Sequence, residues 1–401
     1  MSDPRPRVLC LMTLPPPVHG SSIMNEAVAR SDVLNSRFAV DVIAMHFAET
    51  LGDVGKHSLR KVPKAIAVAA RLTKALVAKR PQAVYLALTP QGAAFYRDCL
   101  YVAIIKALRV PRIYHMHGKG VASQLGQGWK RLVYRWAFRG AYVIALSPLL
   151  ASDIEDVVSA DRMTFVGNGI RDQVTEVPRR VDRTGPPRIL YLSNMLRTKG
   201  ALVLLEALVA LHRRGVAFDA TFAGADPHDG TVAEFRSTVA AHGLGSQVRY
   251  LGPVYGQAKD ALFRDSDLFV FPTFYAPETF GLVLLEAMQW ALPVISTPEG
   301  AIPEIVIEGE TGFLVRQRDA GALADRIACL LQDPRRRREM GAQGRKRYLG
   351  KYTLEHFEHN LAAAIARGIG LAQADGLACH GALGDSGDTP ELGRDSVERG
   401  V

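Results

Sequence analysis

The chain is predicted to be an α/β protein in which two doubly wound parallel sheets face a central cleft. Three observations carry that expectation. Short apolar runs alternate with amphipathic stretches of helical period along most of the sequence. The alternation stops once, in the polar, proline-rich and aperiodic stretch VPRRVDRTGPP at 177–187, and then restarts. The length, 401 residues, suits two or three domains of about 150 residues each.

In the first series, strands are expected at 8–12, 40–45, 83–88, 112–116 and 142–147. A helix from Ser21 or Ser22, either of which can cap it, to about Leu34 follows the first strand. Further helices are expected at 59–79, 93–108 and 129–138. In the first of these, Ile66, Ala69, Ala70, Leu72, Leu76 and Val77 supply the apolar period, and Lys61, Lys64, Arg71, Lys74 and Lys79 the charge. In the second series, strands at 188–192, 220–223, 248–251, 268–271 and 292–296 alternate with helices at 200–213, 232–242 and 257–264, and a further helix carries Glu286. Helices at 323–331, 336–348 and 356–367 complete the order, and the Gly-, Asp- and Ser-rich 372–401 reads as a disordered tail.

Composition narrows the class. Hydrophobic residues make up 48% of the chain, as in a globular protein, and no run approaches the roughly 18 apolar residues of a membrane span. The first twenty residues, interrupted by prolines, do not read as a signal peptide. Cys10, Cys99, Cys329 and Cys379 are scattered without CxxC spacing, which points to reduced core thiols and not to disulfides or zinc. The net charge of +9 is uneven: 51–150 holds seventeen Lys and Arg against two acids. Such a segment suits solvated helix faces, a phosphorylated substrate, an anionic membrane or nucleic acid. No RNA- or DNA-binding motif accompanies it, which argues against nucleic acid.

Ligands of doubly wound sheets bind beyond the carboxyl ends of the strands, so the loops after strands are where chemistry is expected. Gly20, opening the first helix, would let phosphate oxygens approach backbone N–H groups. His115 and His117 point to one face of their strand, but no carboxylate completes a metal site. His117, nearer the loop, is the better partner for a sugar hydroxyl or reacting centre, and His115 reads as a packed strand residue. Lys199, in SNMLRTKG between strand and helix, could meet a diphosphate. That loop does not match GxxxxGK[ST], and neither half carries GxGxxG, which counts against a mononucleotide P-loop and an NAD enzyme. Asp265-Ser266-Asp267 spells DxD, yet it directly precedes a strand and reads as a surface turn. Glu278 and Glu286 flank a helix start. Glu286 is expected about two turns in, with Thr279 to Leu282 forming the first turn, so the pair would bracket about 12 Å of an extended ligand.

Taken together these residues resemble family 4 retaining glycosyltransferases of the GT-B fold. The resemblance covers about 1–365 and is strongest over 188–315, where PETFGLVLLEAMQWALPVISTPEGAIPEIVIEGETGFLV is similar to the family's E-x7-E motif and its continuation. Asn168-Gly169-Ile170 is similar to the segment between the family's domains. The resemblance implies an acceptor-binding domain at 1–170, a linker at 171–187, a nucleotide-sugar-binding domain at 188–350 and a helix at 351–370 crossing back, ahead of the tail at 371–401. It implies that Glu286 holds the ribose and Glu278 lies by the transferred sugar. Phe280, Gly281 and Leu282 would form the turn near sugar and diphosphate, Lys199 and Gly20 would face the phosphates, and His117 the donor sugar. Ser193-Asn194 stands where the family often has Gly-Arg, so Asn194 removes a phosphate-binding cation for which Arg197 is the candidate substitute. His19-Gly20 likewise stands where two glycines are common.

The implied activity moves a sugar from a nucleotide-diphosphate sugar to an acceptor hydroxyl, with retention, without a metal or cofactor. The expected acceptor is a lipid-linked glycan of cell-surface polysaccharide, exopolysaccharide or lipopolysaccharide biosynthesis. The expected location is cytoplasmic and peripheral on the inner face of the membrane. The basic helix at 59–79 would then touch anionic lipid, each cation contributing about 1 kcal/mol. A transferase with a soluble acceptor and a nucleotide-sugar-binding protein without efficient turnover are the alternatives.

Overall fold

The computed structural model describes residues 3–47, 61–177 and 185–370. The expected tail, residues 178–184 of the expected linker and the first two residues of the helix expected at 59–79 lie outside the described residues.

Six strands form the first sheet: β1 (Arg7–Met12), β2 (Ala39–Ala44), β3 (Ala83–Leu86), β4 (Arg112–Met116), β5 (Tyr142–Ala145) and β6 (Met163–Phe165). They are parallel, in the order β2-β1-β3-β4-β5-β6. The second parallel sheet holds β7 (Arg188–Leu192), β8 (Asp219–Ala223), β9 (Val248–Tyr250), β10 (Leu268–Phe271), β11 (Val294–Ser296) and β12 (Gly312–Leu314), in the order β12-β11-β10-β7-β8-β9. Every residue of β3 (AVYL) and β10 (LFVF) is buried, as expected of central parallel strands covered on both faces. Strand order reverses between β1 and β3 in one sheet and between β7 and β10 in the other. Those switch points open the crevices in which such sheets hold ligands.

The helices of the first half are α1 (Gly20–Arg30), α2 (Asp32–Arg37), α3 (Lys61–Lys79), α4 (Gly92–Ala107) and α5 (Gly128–Phe138). Those that follow are α6 (Ala201–Arg213), α7 (Thr231–Ala241), α8 (Gly256–Arg264), α9 (Leu282–Gln289), α10 (Ile302–Ile305), α11 (Ala320–Gln332), α12 (Pro334–Lys351) and α13 (Leu354–Gly368). Helices α3, α4 and α5 share one core with the first sheet, through residues such as Leu72, Val102 and Phe138. Helices α1, α2 and α13 pack in the core on its other face. There Phe357, Leu361 and Ile365 of α13 lie with Val8, Met12 and Ile113, each burial contributing roughly 2 kcal/mol. The chain returns to the first half where Ile170 bridges Thr353. At that crossing a Cβ on Gly169 would lie 2.2 Å from the Thr353 carbonyl oxygen, so only glycine fits.

Three local expectations are corrected. The helix expected up to Leu34 is two helices, because Ser31 is extended (φ −67°, ψ 119°) and its hydroxyl accepts from Leu34 N at 3.1 Å to cap the second. The first helix is capped by His19, not by Ser21 or Ser22: Ser22 N donates to His19 Nδ1 at 3.3 Å, and His19 N to Ser22 Oγ at 2.9 Å. In α3 the buried stripe is Val68, Leu72 and Leu76, while Ile66 and Val77 are both 60% exposed.

Candidate active site

Tyr191, buried at the end of β7, donates its hydroxyl to the Lys199 carbonyl at 3.3 Å and so pins the loop that follows. That loop is tied to the one after β10 by Phe274 N donating to Thr198 O at 2.8 Å. The two loops flank the second switch point. Lys199 Nζ reaches across it and donates to Glu278 Oε2 at 2.6 Å, with both side chains largely buried at 16% and 12% exposure. The ammonium also lies 4.4 Å from the centre of the Tyr275 ring.

Helix α9 begins one turn later than expected. Gly281 is its cap in the left-handed region (φ 77°), so Thr279 and Phe280 precede the helix and Glu286 sits little more than one turn in. The 12 Å spacing drawn from a continuous helix therefore does not apply to the glutamates. Glu286 is itself engaged: Lys259 Nζ of α8 donates to Glu286 Oε1 at 2.6 Å, leaving Oε2 for a ligand hydroxyl. Lys259 is the residue sequence reasoning missed, and nothing in its local pattern separates it from an ordinary helix-surface lysine.

The first half faces these loops directly. Gly20 opens α1, and a Cβ there would lie 3.8 Å from Leu282 Cδ1. Thr279 Oγ1 donates to the His117 carbonyl at 2.8 Å, and Lys119 is paired with Glu299. Phe280, 3% exposed, packs with its ring centre 6.1 Å from that of Tyr352. His117 lies just past β4. Both its ring nitrogens are buried and without a partner among the described residues, and its ring centre is 4.0 Å from that of His115. Burial, and then the neighbouring His19, hold the His117 imidazole at about 4, so it is neutral near pH 7. Burial also lowers His19, and burial followed by the proximity of His117 lowers His115. His115 is fully buried and bonded to the Tyr85 hydroxyl, a packed strand residue.

Other candidates lie elsewhere. The Arg197 guanidinium pairs with Glu234 of α7 on an exposed surface. Asn194 is exposed, and its contact is through its carbonyl, which accepts from the Tyr191 hydroxyl at 3.5 Å. Asp267 is buried and its Oδ2 accepts from Arg188 N at 2.9 Å, so the DxD sequence ties the start of β10 to that of β7 and is not the surface turn expected of it. The described residues contain no group of three or more His, Cys, Asp and Glu placed to hold a metal.

The arrangement thus offers two lysine–glutamate pairs around a strand-order switch, and in the first half a neutral imidazole without a partner among the described residues. It can hold a ligand that is anionic in the middle and hydroxyl-rich at both ends. Comparison with known proteins identifies the family. The family described as Glycosyl transferases group 1 matches residues 174–347, and the Glycosyl transferase 4-like domain matches 35–169. Glycogen synthase of Mycobacterium tuberculosis is 31% identical over 215 residues, covering 53% of this chain and 49% of that protein. The putative colanic acid biosynthesis glycosyltransferase WcaL of Escherichia coli is 28% identical over 222 residues, 54% of each chain. This chain thus spans about half the length of these relatives. Among solved structures, Anabaena HepE in complex with UDP superposes with a TM-score of 0.71 at 18% identity, covering 90% of this chain and 100% of that one. With both sheets, both family matches and the same architecture in hand, the chain belongs to glycosyltransferase family 4, the group 1 glycosyl transferases of GT-B fold.

Proposed function

We propose that this chain is a retaining, metal-independent glycosyltransferase that moves a sugar from a nucleotide-diphosphate sugar to an acceptor hydroxyl. The observation that carries the reading is the pair of lysine–glutamate contacts, Lys199–Glu278 and Lys259–Glu286, at the switch point of the second sheet. Glu286 Oε2 takes the ribose hydroxyls, and Lys199 with the N–H groups opening α9 takes the diphosphate. Glu278 and His117 are the proposed catalytic residues, facing the transferred sugar from the two halves. His117, neutral, offers a hydrogen bond to a sugar hydroxyl and is not an acid at pH 7.

In the proposed step the acceptor oxygen attacks the anomeric carbon from the side of the departing diphosphate. The bond from that carbon to the phosphate oxygen breaks, and its electron pair leaves with the diphosphate. The acceptor proton passes to the departing phosphate oxygen. Lys199 stabilises the charge that develops there, and the contacts between the halves exclude water.

HepE has been solved with UDP and with UDP-glucose, which supports a nucleotide sugar as the donor. WcaL's name, a putative colanic acid biosynthesis glycosyltransferase, supports a polysaccharide pathway, and the acceptor proposed within it is a lipid-linked glycan. No helix among the described residues is long and apolar enough to cross a membrane. The proposed location is the cytoplasmic face of the membrane, held peripherally by its anionic lipids. A second reading, a nucleotide-sugar-binding protein without efficient turnover, is favoured by one observation: Asn194 supplies no cation, and Arg197 is committed to Glu234.

Proton NMR of the slow hydrolysis of a bound UDP-sugar tests both readings. Release of the sugar with the donor's anomeric configuration is expected. Release with inverted configuration contradicts the step above, and tight binding without release selects the second reading.

A further inference from the structure

The α3–α4–α5 layer has an unusual outer side. Its three helices carry ten basic residues and one acid, Asp98, which is fully buried and paired with Arg97 at 2.7 Å. The side facing solvent therefore has no counter-charge of its own within these helices. It is also apolar in one stripe. Trp129, Leu132 and Trp136, at helical spacing on α5, are 59%, 70% and 41% exposed. Tyr96 of α4 continues the stripe, stacked on Trp129 with ring centres 5.9 Å apart, and Leu100, one turn on, is 43% exposed. Cations rim it: Lys130 Nζ lies 5.9 Å from the Trp129 ring and Lys106 Nζ 4.5 Å from that of Trp136.

Beyond Trp136 the stripe runs into a cavity of about 700 Å³, lined among others by Lys106, Arg109, Arg112, Arg162 and Arg367 and by one acid, Asp161. Tyr142, 7% exposed, lines the same cavity with its hydroxyl buried and unpartnered among the described residues. Burial, then the Arg112 and Arg139 charges, lower the Lys106 ammonium, as expected where cations crowd. At its other end the stripe reaches the cleft, because α5 follows β4 and its first turn lies at the strands' carboxyl ends.

We propose that the outer side of α3, α4 and α5 is a docking surface for an anionic lipid bilayer, with Trp129, Leu132 and Trp136 seated in the interface. Tryptophan prefers that depth, and the surrounding ammonium and guanidinium groups reach lipid phosphates. Charge selects this occupant over the others. A second copy of the chain would set one cation-rich face against another, and a neutral protein partner would offer no anion to Arg71, Lys74, Lys106, Lys130, Arg131 and Arg135. In this pose the cleft end of α5 meets the bilayer, where a lipid-linked acceptor would enter. The inference rests on the membrane part of the reading above and not on sugar transfer, and its test contains no donor.

The probe is sedimentation of the full chain with vesicles of phosphatidylcholine containing about one-third phosphatidylglycerol, alongside pure phosphatidylcholine. Binding to the anionic vesicles only, weakening with salt, is expected. Trp129→Ser, Leu132→Ser and Trp136→Ser combined should weaken it at least about tenfold with an unchanged melting temperature. Quenching of the wild-type tryptophan fluorescence by brominated lipid gives the same answer without any substitution. Equal binding by the triple variant, absence of quenching, or a solution dimer that the triple variant abolishes while vesicles stay unbound would each overturn the proposal.

Discussion

Lys199 Nζ donates to Glu278 Oε2 at 2.6 Å across the gap between the β7 and β10 loops, so the cation proposed for the diphosphate and the acid proposed for the sugar neutralise each other before any ligand arrives. Both are largely buried, and removing either leaves the other without its partner in a poorly solvated position. Lys199→Met and Glu278→Gln are each expected to cost about 1–3 kcal/mol of stability and to lower kcat/KM by roughly 10²–10³-fold. The double variant should recover much of the stability and none of the activity. Chemical denaturation of the four proteins, read as a double-mutant cycle, measures the coupling, and strictly additive losses would contradict it.

Lys259 acts on the nucleotide end through Glu286, whose Oε1 it holds at 2.6 Å. Lys259→Ala frees that carboxylate to rotate without removing it. Donor KM is expected to rise about tenfold while kcat changes by no more than about threefold, the pattern of lost ground-state binding. A fall in kcat alone would move Lys259 from the ribose to the reacting centre.

Gly200 holds the two loops together at close range. Its φ is +88°, and a Cβ there would lie 2.1 Å from the Pro272 carbonyl oxygen. Gly200→Ala is therefore expected to destabilise the chain by about 3 kcal/mol or more. Gly20→Ala meets only Leu282 Cδ1 at 3.8 Å and should change stability by less than about 1 kcal/mol, with any loss appearing in donor affinity. Comparing the two melting temperatures checks both statements.

The histidines set an acid limit. His117, His115 and His19 are all lowered in the folded chain, chiefly by burial, so below the ordinary value of 6.5 the unfolded chain binds more protons. Their contribution to stability is full above about pH 6.5 and is lost as pH falls below it, for His117 down to about 4. Melting temperatures from about pH 7.5 to about pH 4.5 should fall, and His117→Gln should make that fall shallower. An unchanged slope would remove His117 from the buried, neutral state described above.

Much of this architecture was legible because parallel strands buried on both faces leave uninterrupted apolar runs. The strands at 112–116, 188–192 and 268–271 have the bounds expected of them. Strands β6 and β12, three residues each, and the four-residue α10 are too short to show a period. Ser31 splits a helix through its own cap, a local bond that hydrophobic spacing does not encode. Glycine 281 could be marked as unusual, but only its left-handed geometry shows that α9 starts after it. The partners of Glu278 and Glu286 come from loops and helices 79 and 27 residues away, so neither ion pair leaves a trace in local sequence. His117 could be singled out from its place at a strand end, whereas its unpartnered ring and its contact through Thr279 needed the second half in place.

The central claim is that the second switch point holds a nucleotide-diphosphate sugar with Glu286 on the ribose. A thermal-shift panel of UDP-, GDP- and ADP-sugars on the wild type and Glu286→Ala tests it most directly. One nucleotide class should raise the wild-type melting temperature, by about 2.7 kcal/mol of stabilisation at a hundredfold excess over Kd. The same sugars should leave Glu286→Ala unmoved. A shift of equal size in that variant would contradict the assignment.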